Sequence, residues 1–187
     1  GALWINRLIL SVIISTSAFL IYKIARLLQA SEIAAQSSSV LFIFVMFFHS
    51  ALTFNFEHFM YFFTLLGIWS YLSISGNLRY FLSGFLLGLA FCIKLLSLLD
   101  FFFLLLLMIY DSYKKDGNLT LKLSSIFRSI SICVIAFLIP FGLVNFYFFA
   151  ADSWQAFYFI SYEAPGNYSS HLSLLDRLKF VLDFHIS

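Results

Sequence analysis

Residues 80–110 read YFLSGFLLGLAFCIKLLSLLDFFFLLLLMIY, and this run decides the fold of the chain. It holds 31 residues, of which only Lys94 and Asp100 are charged. A single helix of this length would extend roughly 46 Å, whereas the hydrocarbon core of a bilayer is about 30 Å thick. One steeply tilted helix fits the run, but two shorter helices fit it better, because a turn near Lys94 brings the ammonium to the membrane interface. We therefore predict a helical hairpin with non-helical backbone between about Ile93 and Ser97.

The composition of the whole chain points the same way. Of its 187 residues, 62% are apolar and 11% are charged, and the mean hydropathy is +0.97. An average soluble domain carries about 25% charged residues, and a soluble chain of this size has too much surface to hide so many apolar side chains. The net charge of +2, with its basic residues scattered, also excludes a nucleic-acid binder. The sequence predicts an all-α, polytopic transmembrane helical bundle.

Further apolar runs flank the hairpin. The candidate spans are residues 8–28, 40–54, 59–74 and 126–150, and the second is short for a bilayer unless residues 37–39 begin it. Together with the hairpin they give a transmembrane bundle of about five to six helical segments over residues 1–150. Residues 151–187 are aromatic and polar and are predicted to form an extracytoplasmic loop followed by an interfacial helix. Because the chain opens with Gly1 and closes without a terminal feature, we expect a fragment of a longer, multi-pass integral membrane protein.

The basic residues predict how the spans are oriented, because Lys and Arg concentrate in cytoplasmic loops. With the hairpin in place, seven fall on one side: Lys23, Arg26, Arg79, Lys114, Lys115, Lys122 and Arg128. Four fall on the other: Arg7, Lys94, Arg177 and Lys179. The richer side is predicted to be cytoplasmic, which places residues 55–58, Lys94 and residues 152–187 on the outer face.

Polar side chains near membrane depth are the candidate site residues, because such groups are costly there and are usually functional. Asn55, Glu57 and His58 lie between two apolar runs. One interpretation is structural, with Asn55 capping a helix and Glu57 matching the helix dipole in its first turn; the other is a carboxylate that lines a polar site. Lys94 likewise either snorkels to the headgroups or provides a fixed cation for a lipid phosphate. Asp100 is a further possible partner of Lys94, although a six-residue separation places the two on different faces of one helix.

No metal site is predicted. The four histidines show no metal-ligand spacing, and His49 is interpreted as a hydrogen-bonded core residue. Cys92 and Cys133 lie within apolar runs and are interpreted as small buried hydrophobic residues. No phosphate-binding glycine loop is present, so cytosolic nucleotide chemistry has no support.

Two segments resemble a known family in their order along the chain. Asn55-Phe56-Glu57 enters one span, and Gly84-Phe85-Leu86-Leu87-Gly88-Leu89-Ala90-Phe91-Cys92-Ile93-Lys94 follows in the next. This order resembles the GT-C superfamily of membrane glycosyltransferases, especially the dolichyl-phosphate-mannose protein mannosyltransferases and their bacterial lipopolysaccharide-core and aminoarabinose transferase relatives. Gly84 and Gly88 would also serve as a helix-packing face without any such relationship.

The resemblance implies an inverting transfer of one sugar from a polyprenyl-phosphate donor to a glycan, lipid or protein acceptor. It implies that Asn55, Glu57, His58 and Lys94 bind substrate, while the principal catalytic acid lies upstream of Gly1. No cofactor is expected, and a divalent metal requirement stays open. The membrane would be the plasma (inner) membrane of a bacterium or the endoplasmic reticulum of a eukaryote. The alternatives are a transporter or flippase-like protein that uses Glu57, Lys94 and Asp100 as relays, and a non-catalytic membrane scaffold.

Overall fold

The chain is all-α, as predicted, in every part that the structure describes. The computed structural model describes residues 2–50, 56–114, 119–159 and 161, and these ranges contain no strand. The helices are α1 (Ala2–Leu27), α2 (Glu32–Ser50), α3 (Glu57–Ser73), α4 (Asn77–Ile93), α5 (Ser97–Lys114), α6 (Leu119–Ala150) and α7 (Trp154–Tyr158).

The long apolar run is broken at Lys94. Helix α4 ends at Ile93, Lys94 adopts an extended conformation (φ −152°, ψ 126°), and α5 begins at Ser97. The Lys94 N–H still donates to the Ala90 carbonyl at 3.0 Å, and the Ser97 N–H donates to the Lys94 carbonyl at 3.1 Å. The structure therefore contains the hairpin and the non-helical backbone predicted from the length of the run and the position of Lys94.

Several helices begin earlier than the apolar runs predict. Helix α2 takes in the serine-rich stretch before Val40, and α6 starts at Leu119 instead of near residue 126. The serine hydroxyls are accommodated because they bond to carbonyls of the helix: Ser38 Oγ donates to the Ala34 carbonyl at 2.8 Å. Ser39 Oγ also donates to the Ala18 carbonyl of α1 at 2.8 Å, which joins the two helices. A polar stretch therefore did not mark a helix boundary here.

Two glycines bring α4 against α6. A Cβ added to Gly84 would overlap the carbonyl oxygen of Cys133, and one added to Gly88 would overlap that of Phe137. This is the small-residue packing that lets two backbones approach closely. Both contacts advance by four residues in the same direction, so α4 and α6 run parallel.

The core lies among α3, α4, α5 and α6. Its buried members are Tyr71, Leu87, Phe101, Leu104, Met108, Cys133 and Phe137. The rings of Phe101 and Phe137 stack with centroids 4.1 Å apart, which joins α5 to α6. Helix α1 packs against α2 and α3.

Large apolar side chains also cover much of the outside of the helices. Trp4 of α1 and Phe127 of α6 are 79% and 75% exposed, and α2 and α5 carry similar residues. In the described residues, two helical segments are long and apolar enough to cross a membrane, Trp4–Leu27 and Leu123–Ala150. Soluble monomers rarely expose such extensive apolar surface, so these features are consistent with membrane association.

The chain divides into two compact units, residues 1–142 and 143–187. In the second unit the structure describes the last turns of α6 and the short helix α7, where Phe148 and Phe157 stack at 4.2 Å. An extracytoplasmic loop and an interfacial helix were predicted for residues 151–187. Apart from residues 151–159 and 161, that segment lies outside the described residues.

Candidate functional site

Glu57 and Lys94 form an ion pair at one end of the α3–α4 hairpin. A turn of three residues joins these helices, so the start of α3 lies beside the end of α4. Lys94 Nζ donates to Glu57 Oε1. Each charge also suits its helix, since the carboxylate sits at the positive end of the α3 dipole and the ammonium at the negative end of the α4 dipole. Two residues 37 positions apart in sequence are thereby fixed next to each other.

The start of α5 adds polar groups to this end of the bundle. Asp100 lies in the first turn of α5 and accepts a hydrogen bond from Thr64 Oγ1 of α3 at 3.4 Å. Ser97, the first residue of α5, is fully buried, and its hydroxyl has no hydrogen-bond partner in the described part of the chain. Three helix ends thus bring their polar side chains to one region.

The structure joins some of the predicted site residues and not others. It pairs Lys94 with Glu57, while the hydrogen bond shown for Asp100 comes from Thr64, so the pairing of Asp100 with Lys94 is not observed. His58 follows Glu57 in α3 and is buried. Asn55 lies outside the described residues, so its predicted capping role is not tested; the N-cap residue of α3 is Phe56, and Glu57 occupies the first turn as expected.

Sequence reasoning missed Thr64 and Ser97. Thr64 follows Glu57 by seven residues, which places both on the same face of α3 two turns apart. That spacing was available in the sequence and would have linked Thr64 to the site. Ser97 had no such signal, because its burial depends on where α5 begins.

Among the groups of this site, Lys94 is the one best placed to bind an anion. Its side chain is 43% exposed, against 22% for Glu57. An ammonium has three N–H donors, and the contact with Glu57 Oε1 occupies one of them. The remaining donors can reach a phosphate oxygen, with Glu57 holding the side chain in place.

The described residues contain no group of three or more His, Cys, Asp or Glu side chains that could hold a metal ion. The arrangement therefore offers charge and hydrogen bonding from Lys94, Glu57, Thr64 and Asp100. Comparison with protein-family models, with curated proteins and with solved structures finds no match to this chain.

Proposed function

We propose that this chain belongs to an integral, multi-pass membrane glycosyltransferase. It would move a sugar from a polyprenyl-phosphate donor to an acceptor outside the cytoplasm, with inversion at the sugar carbon. The observation that carries the proposal is the position of Lys94: a partly exposed cation at a backbone break, paired with the acid that opens the preceding helix. The GT-C resemblance assigns substrate binding to these same two residues.

The arrangement of the helices supports a bundle of several spans. Thr64 contacts Asp100, and Tyr71 contacts Asp111, so α3 and α5 run parallel. Helices α4 and α6 run parallel in the opposite direction, as expected for consecutive spans. The excess of Lys and Arg at the end that holds Arg79 and Lys114 makes that end cytoplasmic in the proposal. The Glu57–Lys94 pair then faces outward, where a lipid-linked sugar is used.

The chemistry follows from the charge that develops on the donor. As the acceptor oxygen attacks the sugar carbon, the bond from that carbon to the phosphate oxygen breaks, and the phosphate leaves with additional negative charge. A cation fixed at this oxygen stabilises the developing charge more than the ground state. Lys94 fills this role in the proposal, and Glu57 positions it. A separate general base takes the proton of the acceptor hydroxyl.

Transfer from a radiolabelled polyprenyl-phosphate sugar, measured with the intact protein, tests the proposal. Lys94→Ala is expected to lower the rate by about 10- to 100-fold, because a charge-assisted hydrogen bond contributes roughly 1.5–3 kcal/mol. Lys94→Arg should recover part of the rate, since charge is kept while the donor geometry changes. Glu57→Ala should leave donor binding less affected and lower the rate by misplacing Lys94 and the bound sugar.

Lys114→Ala is the matched control, because it removes an exposed lysine that lies over the Tyr110 ring, at the opposite end of α5 from the ion pair. Each variant is first checked for expression and for helical content. Full transfer activity in Lys94→Ala would contradict the assigned role and leave Lys94 as a snorkelling residue. Movement of the lipid-linked sugar across the bilayer without transfer would favour the transporter interpretation.

A further inference from the structure

A polar cavity lies at the end of α4 opposite Lys94. It has a volume of about 400 Å³ and is lined by residues of the α3–α4 turn, the first turn of α4 and the first half of α6. Helix α4 has 17 residues, so its two ends are about 25 Å apart. The cavity is therefore separate from the Glu57–Lys94 pair, and neither the ion pair nor the glycosyltransferase proposal uses it.

Two arginines meet at this cavity because of the way α4 and α6 pack. Gly84 lies against Cys133, and Gly88 against Phe137. Arg79 precedes Gly84 by five residues, and Arg128 precedes Cys133 by five. Because the helices run parallel, the same offset places both arginines at one level, where both line the cavity.

The two guanidinium groups differ in how they are held. Arg79 lies over the rings of Tyr71 and Tyr80, at 4.8 and 4.5 Å from their centroids, and its Nη2 donates to the Tyr80 hydroxyl at 2.6 Å. Arg128 is exposed and forms no ion pair among the described residues. The acidic residue next to these tyrosines is Asp111, whose carboxylate accepts a hydrogen bond from the Tyr71 hydroxyl at 2.7 Å. Among the residues that the structure describes here, two positive charges therefore accompany one negative charge.

Neutral donors complete the cavity wall. Ser129 is 5% exposed and lines the cavity, and its hydroxyl can donate one hydrogen bond. Gly76 precedes α4 with φ +74°, a conformation that favours glycine. It offers no capping side chain, so the N–H groups of the first turn of α4 lack a side-chain acceptor there. The cavity thus presents guanidinium, hydroxyl and backbone donors together, which is the set that binds phosphate.

We propose that this cavity, hereafter the Arg79–Arg128 cavity, binds a phosphate group, with Arg79, Arg128, Ser129 and the first turn of α4 as its ligands. The neighbouring surface favours a phospholipid headgroup as the source of that phosphate. Leu78 beside Arg79 is 56% exposed, and Phe127 beside Arg128 is 75% exposed. Acyl chains would contact these side chains while the phosphate enters the cavity. A free phosphate offers the same anionic oxygens to the cavity, but it has no acyl chains to contact Leu78 and Phe127.

Native mass spectrometry of the purified chain in detergent tests the proposal, with three separate probes: phosphatidylglycerol, phosphatidylcholine and inorganic phosphate. We expect retention of phosphatidylglycerol. Arg128→Gln should weaken its binding about 10-fold or more, the effect of losing one charge-assisted contact. Ser129→Ala keeps the charge and should weaken binding several-fold. Lys23→Gln is the matched control, since it removes one exposed charge from the same predicted side of the membrane, and it should leave binding unchanged within about twofold.

Each outcome decides the question. Stronger binding of phosphatidylglycerol than phosphatidylcholine, lost in Arg128→Gln and Ser129→Ala, supports a lipid phosphate in the cavity. Binding of inorganic phosphate alone, lost in the same variants, supports the cavity with a free phosphate as its ligand. Equal losses in Arg128→Gln and Lys23→Gln would show a diffuse charge effect and overturn the proposal, as would the absence of binding by all three probes.

Discussion

Replacing Gly84 by alanine should separate α4 from α6. The added Cβ would overlap the Cys133 carbonyl oxygen and would lie 3.0 Å from the Cys133 Cα. Both atoms belong to the backbone of α6, so no side chain can move aside to make room. The helices would have to part until the Cβ reaches ordinary van der Waals contact, about 3.5–4.0 Å from its neighbours. Inserting a methyl group into such a packed site typically costs about 1–3 kcal/mol in the free energy of unfolding.

Gly142 provides the matched control for this substitution. It lies within α6, and a Cβ there would meet no atom within 4 Å. Gly142→Ala should raise the free energy of unfolding by about 0.5–1 kcal/mol, because alanine restricts the unfolded chain and favours a helix. Gly67 is intermediate between Gly84 and Gly142 in how closely it is packed, since an added Cβ would lie 3.3 Å from Leu87 Cγ and from the Ser83 carbonyl oxygen. Its substitution should change stability by less than about 1 kcal/mol.

Unfolding in mixed micelles with increasing SDS, followed by circular dichroism, measures these differences. The expected order of stability is Gly142→Ala, then the unchanged chain, then Gly84→Ala. Gly88→Ala should resemble Gly84→Ala, because its Cβ would overlap the Phe137 carbonyl oxygen in the same way. If Gly84→Ala and Gly142→Ala unfold at the same SDS fraction, the close α4–α6 contact is refuted.

Three further predictions concern the helix ends and the orientation of the chain. Gln29→Gly should stabilise the chain by up to about 1 kcal/mol in the same unfolding assay, because Gln29 has φ +64° after α1 and glycine adopts that conformation without strain; a loss of stability would contradict this. Tyr71→Phe should destabilise the chain by about 1–3 kcal/mol, since it removes the 2.7 Å hydrogen bond to Asp111 and leaves the carboxylate without that donor; unchanged unfolding would show that water replaces the hydroxyl. Single cysteines introduced at Ser112 and Ser169 should be labelled from opposite sides of the membrane. Labelling of both from the same side would contradict the orientation predicted from the basic residues.

The sequence was most informative where length imposed a physical limit. Residues 80–110 are too long for one untilted span, and this length, together with the charge of Lys94 inside the run, predicted the break that the structure shows. The spacing of Gly84 and Gly88 offered a packing face as an alternative to the family motif, and it did not indicate that α6 would be the partner.

Contacts between distant segments were beyond the reach of local patterns. The Glu57–Lys94 pair joins residues in two helices, and each residue separately was equally compatible with a simple interfacial role. Ser129 lies in an apolar run and gave no signal, because its importance depends on the residues that α4 places opposite it. The early start of α2 was missed for a different reason: serine side chains bonded to the helix carbonyls, so polarity and helix boundary did not coincide.

The α4–α6 contact also determines which changes of chain length the Arg79–Arg128 cavity can tolerate. Gly84 and Gly88 lie against two carbonyls of α6. If α4 shifted by four residues along α6, either Tyr80 or Cys92 would take the place of one of these glycines. The observed alignment, unlike either shifted one, places a glycine at both carbonyls. Deleting a single residue between Arg79 and Gly84 would turn the arginine by about 100° around the helix axis and move it by about 1.5 Å. In any related chain, the number of residues between arginine and glycine would matter as much as the arginine itself.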